Sequence, residues 1–132
     1  MQRRLFLAAL LLPGLAACGK RRPPTPELIT VFFTASSSFL DDPARYTIVQ
    51  AAEVARTRPN IPVRILGFAA PGAGVSSVEF TRNLATARAG AVRDALIAAG
   101  VDRTRVTLGE RSTVSFEQVA TESRRVEIVF GR

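Results

Sequence analysis

Thr81-Arg82-Asn83-Leu84-Ala85-Thr86-Ala87-Arg88-Ala89-Gly90-Ala91-Val92-Arg93-Asp94-Ala95-Leu96-Ile97-Ala98-Ala99-Gly100 carries the most legible pattern in this chain of 132 residues. Leu84, Arg88, Ala91, Val92, Ala95, Leu96 and Ala99 recur at helical spacing. That spacing predicts an amphipathic helix over about 81–99, with Gly100 placed to end it in a left-handed conformation. Arg88 interrupts the otherwise apolar stripe. A guanidinium carried into a core needs an anion, and its five donors in a fixed fork suit a carboxylate from the protein or from a ligand. The alternative is an arginine at the edge of the stripe, its stem packed and its head in solvent. Periodicity alone leaves both open.

Working outward, Val63–Phe68 and Ile29–Phe33 read as buried strands rich in β-branched and aromatic residues. Between them, Asp41 and Asp42 ahead of Pro43 form a helix-start signal. Ala44, Ile48, Ala51, Ala52 and Ala55 then give an apolar stripe that fades before Pro59-Asn60. Ala69–Ser77, rich in glycine, alanine and serine, reads as a long loop. On the other side, Arg105–Leu108 and Arg125–Phe130 read as strands separated by the polar stretch Glu110–Ser123. The order β-α-β-α-β-β, with two crossover helices, predicts an α+β two-layer sandwich: a mixed four-stranded sheet with both helices on one face.

The N-terminal segment has the three parts of a signal peptide: Arg3 and Arg4, the apolar run Leu5–Leu12, and small residues up to Ala17. Leu15-Ala16-Ala17-Cys18 matches the lipobox of bacterial lipoproteins, which predicts cleavage after residue 17 and acylation of Cys18, the only cysteine. The twin arginines also resemble one export pattern, but charge in a positive leader explains them, and the general export route is favoured. Gly19 resembles the sorting residue of lipoproteins sent to the outer membrane. Residues 18–28, with three prolines and Lys20-Arg21-Arg22, read as a basic linker. At ~3.1 Å per residue it reaches roughly 30 Å. The remaining 29–132 form one domain. The formal charge of +7 falls when Arg3 and Arg4 leave with the leader, but the chain stays basic. The predicted location, at the periplasmic face of the outer membrane, points that charge at anionic lipid and wall polymers rather than nucleic acid.

Enzymatic chemistry is poorly supplied. The chain has no histidine and commits its one thiol to lipid, which removes most hydrolytic constellations. No metal or cofactor site is expected, since Asp41-Asp42 is better explained by capping. The serines at 36, 37, 38, 76 and 77 have no partner base and read as turn residues. Arg124 and Arg125 open the last strand, where alternation sends one inward and the other outward.

Several local patterns resemble the OmpA-like domain, which also occurs in peptidoglycan-associated lipoproteins and flagellar stator proteins. They are Val31-Phe32-Phe33 with its following serines and Leu40, Val63–Phe68, Asn83–Val92, Gly100–Val106 and Arg124–Ile128. The resemblance covers about residues 29–130. It implies noncovalent peptidoglycan binding, in which an aspartate holds the ammonium of diaminopimelate while helix and final-strand arginines meet stem-peptide carboxylates. Arg88 matches the helix arginine, and Arg124 or Arg125 the final-strand one, with Ser123 where the family has asparagine. The family's aspartate falls on Ala70, and the loop that follows is about three residues longer. Glu79 could return a charge from that loop, although a solvated glutamate is the favoured reading. The implied function is a lipid-anchored tether of membrane to peptidoglycan. The alternative is an interaction module that has lost the wall ligand and serves an envelope protein complex.

Overall fold

The computed structural model describes residues 27–70, 78–109, 112–113 and 122–131. The leader, Cys18, the basic linker up to Pro26, and 71–77 of the long loop lie outside the described residues. The elements are β1 (Glu27–Phe32), α1 (Asp42–Thr57), β2 (Val63–Ala69), α2 (Val78–Ala98), β3 (Val106–Leu108), β4 (Ser112–Thr113) and β5 (Arg125–Phe130). Short 3-10 turns at Arg103–Arg105 and Glu122–Arg124 precede β3 and β5.

Local chemistry sets the helix ends. The Asp41 carboxylate accepts the Ala44 N–H at 2.9 Å, and Pro43 occupies the first turn of α1, where its missing donor costs nothing. At the other end of the chain's long helix, Gly100 takes φ +100°. Its N–H donates to the Ile97 carbonyl, and that of Val101 to the Leu96 carbonyl, so the terminal acceptors of α2 are satisfied. α2 starts at Val78, three residues before the predicted start.

The sheet is mixed, as expected for two crossovers. β5 lies between β1 and β2 and is antiparallel to both, giving the order β1-β5-β2-β3. β3 runs parallel to β2 against Val63–Ile65, and β4 runs parallel to it against Phe68–Ala69. These two short strands therefore continue one another along the same flank of β2. β4 falls inside the predicted polar stretch, where a two-residue pairing leaves no periodicity to read. β1 begins at Glu27, two residues earlier than the alternation predicts, because Glu27 and Leu28 are already in register with Phe130 and Val129.

Val31, Val63, Ile65, Val126, Ile128 and Phe130 face one way and are essentially inaccessible. They share a single core with Ile48, Ala51 and Ala52 of α1 and Val92 and Leu96 of α2, so both helices cover the same face. The buried stripe of α2 is Thr81, Ala85, Arg88, Ala89, Val92 and Leu96, rotated from the predicted one toward its smallest residues. Gly67 explains the rotation. A Cβ there would collide with the Ala85 carbonyl, so the missing side chain lets α2 lie directly on the β2 backbone.

Candidate functional site

Close approach of α2 to β2 drives Arg88 into the interior at the C-terminal end of β2. The residue is 1% exposed, which removes the reading of an edge arginine reaching solvent. The acceptors are main-chain carbonyls rather than a carboxylate. Nε donates to Ser37 O at 2.8 Å, Nη1 to Phe68 O and Ser123 O, both at 3.3 Å, and Nη2 to Thr34 O at 3.1 Å. Phe33 covers the guanidinium with its ring centroid 5.4 Å from Cζ. The anchored segments are the β1–α1 loop, the end of β2 and the turn before β5. The last is also tied to β1 by the Phe33 N–H, which donates to the Arg124 carbonyl at 2.7 Å.

The β1–α1 loop turns sharply between two of these acceptors. Ser36, between the two acceptors Thr34 and Ser37, takes φ +51°, a left-handed conformation that costs an L-residue about 1–2 kcal/mol. A turn over Thr34–Ser37 accounts for it, closed by the Ser37 N–H donating to the Thr34 carbonyl at 3.4 Å. Ser37 also caps the loop's exit, its hydroxyl accepting the Phe39 N–H at 3.0 Å. Ser37 behaves as the turn chemistry expected of the serine run. Its carbonyl does a second task that no side-chain pattern announces.

Arg124 and Arg125 separate as alternation requires. Arg124 follows Ser123, whose carbonyl accepts from Arg88 Nη1, so its charge stands near the buried guanidinium. Arg125 projects from the opposite face of the sheet, where its Cζ stacks 4.2 Å from the Phe68 ring centroid and its Nε bonds Glu127 Oε1 at 2.8 Å. Of the two candidates, the structure brings only Arg124 to Arg88. Ala70 is partly buried two residues beyond the Phe68 carbonyl, at the rim of this site, and contributes no charge. Glu79 is exposed in the first turn of α2, more than two turns from Arg88.

Burial holds the Arg88 pKa below the ordinary arginine value, and repulsion from Arg124 adds to the effect. Among the described residues no carboxylate lies within ion-pair distance of Arg88. Carbonyl dipoles satisfy its donors without cancelling its charge, so two cations share one end of the sheet. Among the described residues no group of three His, Cys, Asp or Glu is placed to hold a metal. Sequence reasoning found Arg88 but missed its four acceptors and the Phe68–Arg125–Glu127 stack. The signal available for the stack was strand alternation, which puts Arg125 and Glu127 on one face.

A mixed two-layer sandwich with a buried helix arginine held at the end of β2 beside the turn into the final strand defines a recognisable class. The OmpA family model matches residues 32–128, and the chain belongs to the OmpA family, a class of non-catalytic domains. Among solved structures, the OmpA-like domain of FopA1 from Francisella tularensis is similar at 16% identity and TM-score 0.66, over 77% of this chain and 70% of that one. The peptidoglycan-associated lipoprotein from Burkholderia pseudomallei is similar at 24% identity and TM-score 0.63, over 76% and 88%. The cell wall anchor of the T6SS from Pseudomonas aeruginosa gives 22% and 0.62, over 82% and 87%. A comparison with curated proteins found no match.

Proposed function

We propose that this chain is a lipid-anchored envelope protein whose OmpA-like domain associates noncovalently with peptidoglycan. Cys18 is the acylation site, and the outer membrane, at its periplasmic face, is the address. The observation that carries the reading is the buried Arg88 at the end of β2, bonded to the Phe68 and Ser123 carbonyls so that it sits next to the turn that ends in Arg124, which gives this end of the sheet a cationic character suited to stem-peptide carboxylates. The similarity to a peptidoglycan-associated lipoprotein and to a cell wall anchor supports it. Arg125, engaged with Phe68 and Glu127 on the other face, is set aside as a contact at this site.

Ala70 lowers the expected affinity. A missing charge-assisted hydrogen bond is worth roughly 1.5–3 kcal/mol, or about one to two powers of ten in binding. That observation favours the second reading, a module retained for an envelope protein complex after the wall ligand was lost.

Co-sedimentation of the chain from Gly19 onward with purified sacculi separates the two. Tethering predicts retention that Arg124→Ala abolishes and that Arg103→Ala, an equal change of charge at an exposed position, leaves intact. Equal losses from both variants would mean adhesion of a basic protein to an anionic polymer. No retention of the wild type sinks the tether and leaves the module. Labelling with a radioactive fatty acid, lost in Cys18→Ser, tests the anchor.

A further inference from the structure

β1 forms one margin of the sheet, with β5 on its inner side and no strand on its outer side among the described residues. One contact gives the phase of its hydrogen bonding. Phe33 and Arg124 continue the β1–β5 register, and the Phe33 N–H donates to the Arg124 carbonyl at 2.7 Å. Bonded pairs alternate in an antiparallel ladder, so Val31, Ile29 and Glu27 also spend their N–H and C=O groups on β5. The far side of β5 agrees, because Gly131 donates to Pro62 O in the β5–β2 register, which leaves the even-numbered residues of β5 to bond β1. Leu28, Thr30 and Phe32 therefore direct their N–H and C=O groups outward. Their side chains stand on the sheet face that the helices leave uncovered, since Val31 between them lies in the core. Leu28 and Phe32 are 53% and 52% exposed. Edge strands are commonly guarded by proline, lysine or a bulge. β1 has none of these: its register runs unbroken over six pairs, and its one charge, Glu27, is paired with Arg58 at 2.8 Å.

We infer that β1 pairs antiparallel with β1 of a second copy of this chain, about a two-fold axis through Thr30. The strand reads alike from both ends, which is what an isologous contact requires. Leu28 faces Phe32 of the partner subunit, the two threonines face each other, and Ile29 faces Val31 of the partner subunit on the other face. The outward residues are then the ones that meet as hydrogen-bonded pairs, so backbone phase and side-chain pattern select the same register. Apolar pairs and a Thr–Thr pair are the cross-strand combinations that stabilise a sheet. Glu27 falls opposite Phe33 of the partner subunit, so no like charges are opposed. With the axis perpendicular to the sheet, the two sheets become one and the helix layers stay on one face. The contact needs neither the proposed anchor nor peptidoglycan, and its test is independent of both.

The chain from Gly19 onward lacks Cys18, so an introduced cysteine is its only thiol. In the paired copies the two residues at position 30 have Cα atoms ~5.5 Å apart, inside the disulfide span of about 4.4–6.8 Å. Under mild oxidation Thr30→Cys is expected to cross-link at least tenfold faster than Leu28→Cys or Phe32→Cys, whose own copies lie roughly 14 Å apart along the strands. A mixture of Leu28→Cys with Phe32→Cys should cross-link, because those positions are opposed. Equal rates in the three single variants mean random collision and overturn the pairing. Sedimentation supplies a second measurement. Thr30→Lys and Thr30→Glu each oppose like charges, so each alone is expected to be monomeric where the wild type is dimeric, and their mixture should restore the dimer. A wild type still monomeric at about 1 mM overturns the inference. So does a Thr30→Lys variant that dimerises like wild type, since another surface would then join the copies. The Thr30 side chain is on the open face and its N–H points outward, so none of these changes takes a sheet bond from the monomer.

Discussion

Two arginines gather main-chain carbonyls in this domain, one at each end of β2, and they do so in different electrostatic settings. At the N-terminal end, Arg105 donates to Ala55 O at 3.0 Å, Arg58 O at 2.7 Å and Ile61 O at 2.9 and 3.2 Å. Two of those acceptors close α1, so the cation sits on the negative end of a helix, and the residue is only half-buried. At the C-terminal end, Arg88 leaves the middle of α2, is fully enclosed and faces a second cation. Hydrogen bonding is nearly the same at both ends, and charge compensation is not. Among the described residues no carboxylate pairs with Arg88, so at this end carbonyl dipoles alone meet the buried guanidinium, whereas at the other end a helix terminus meets Arg105.

The contrast can be broken by substitution. Arg88→Ala strands four carbonyls at a packed junction and should cost about 3–5 kcal/mol, read as a shift in the urea midpoint with the slope unchanged. A loss below that of Arg105→Ala would reverse the comparison. Gly67→Ala should cost about 1–3 kcal/mol by pushing α2 off β2, and it should loosen the Arg88 end selectively. Hydrogen exchange rising at Ser37–Phe39 but not at Ile61–Val63 is the diagnostic pattern. Arg105→Ala should cost about 1–2 kcal/mol, since water reaches a half-buried site, and it should fray the last turn of α1. Arg105→Lys should recover part of that loss through the helix dipole, whereas Arg88→Lys should recover little.

The smallest effect concerns pH at the Arg105 end. Thr104 donates both its hydroxyl and its N–H to Asp102 Oδ1, and these bonds hold the Asp102 carboxyl below its ordinary value of 3.8. A carboxylate whose folded value is depressed lends stability above the unfolded value, and that stability fades as pH falls through the folded one. Thermal scans across acidic pH should therefore show Asp102→Asn losing its deficit relative to wild type below about pH 3.8. A deficit that persists unchanged into stronger acid would remove Asp102 from the account of this end.

What the sequence disclosed follows the same division. Helix ends were legible because capping chemistry is local: Asp41 with Pro43, and Gly100 after a long stripe. The mixed sheet and one-sided helix layer followed from element order. Arg88 announced itself by interrupting an apolar face, yet its partners were invisible, because carbonyl acceptors belong to every residue and leave no mark in side-chain patterns. The rotation of the α2 stripe toward Ala85 and Ala89 depended on Gly67, a contact between elements that periodicity within one helix does not contain. Alternation separated Arg124 from Arg125, and only the packed structure assigned which of them joins Arg88.

The early start of β1 gives the domain a mechanical character. The strand begins directly after Pro26, and its far end leads into the loop that Arg88 holds through Thr34 and Ser37. A pull applied at residue 26 and resisted at the Arg88 end therefore runs along β1 itself. Bonds between antiparallel strands lie across that direction, so the six register pairs from Glu27–Phe130 to Phe32–Arg125 bear the load together, in shear, rather than opening one after another like a zip.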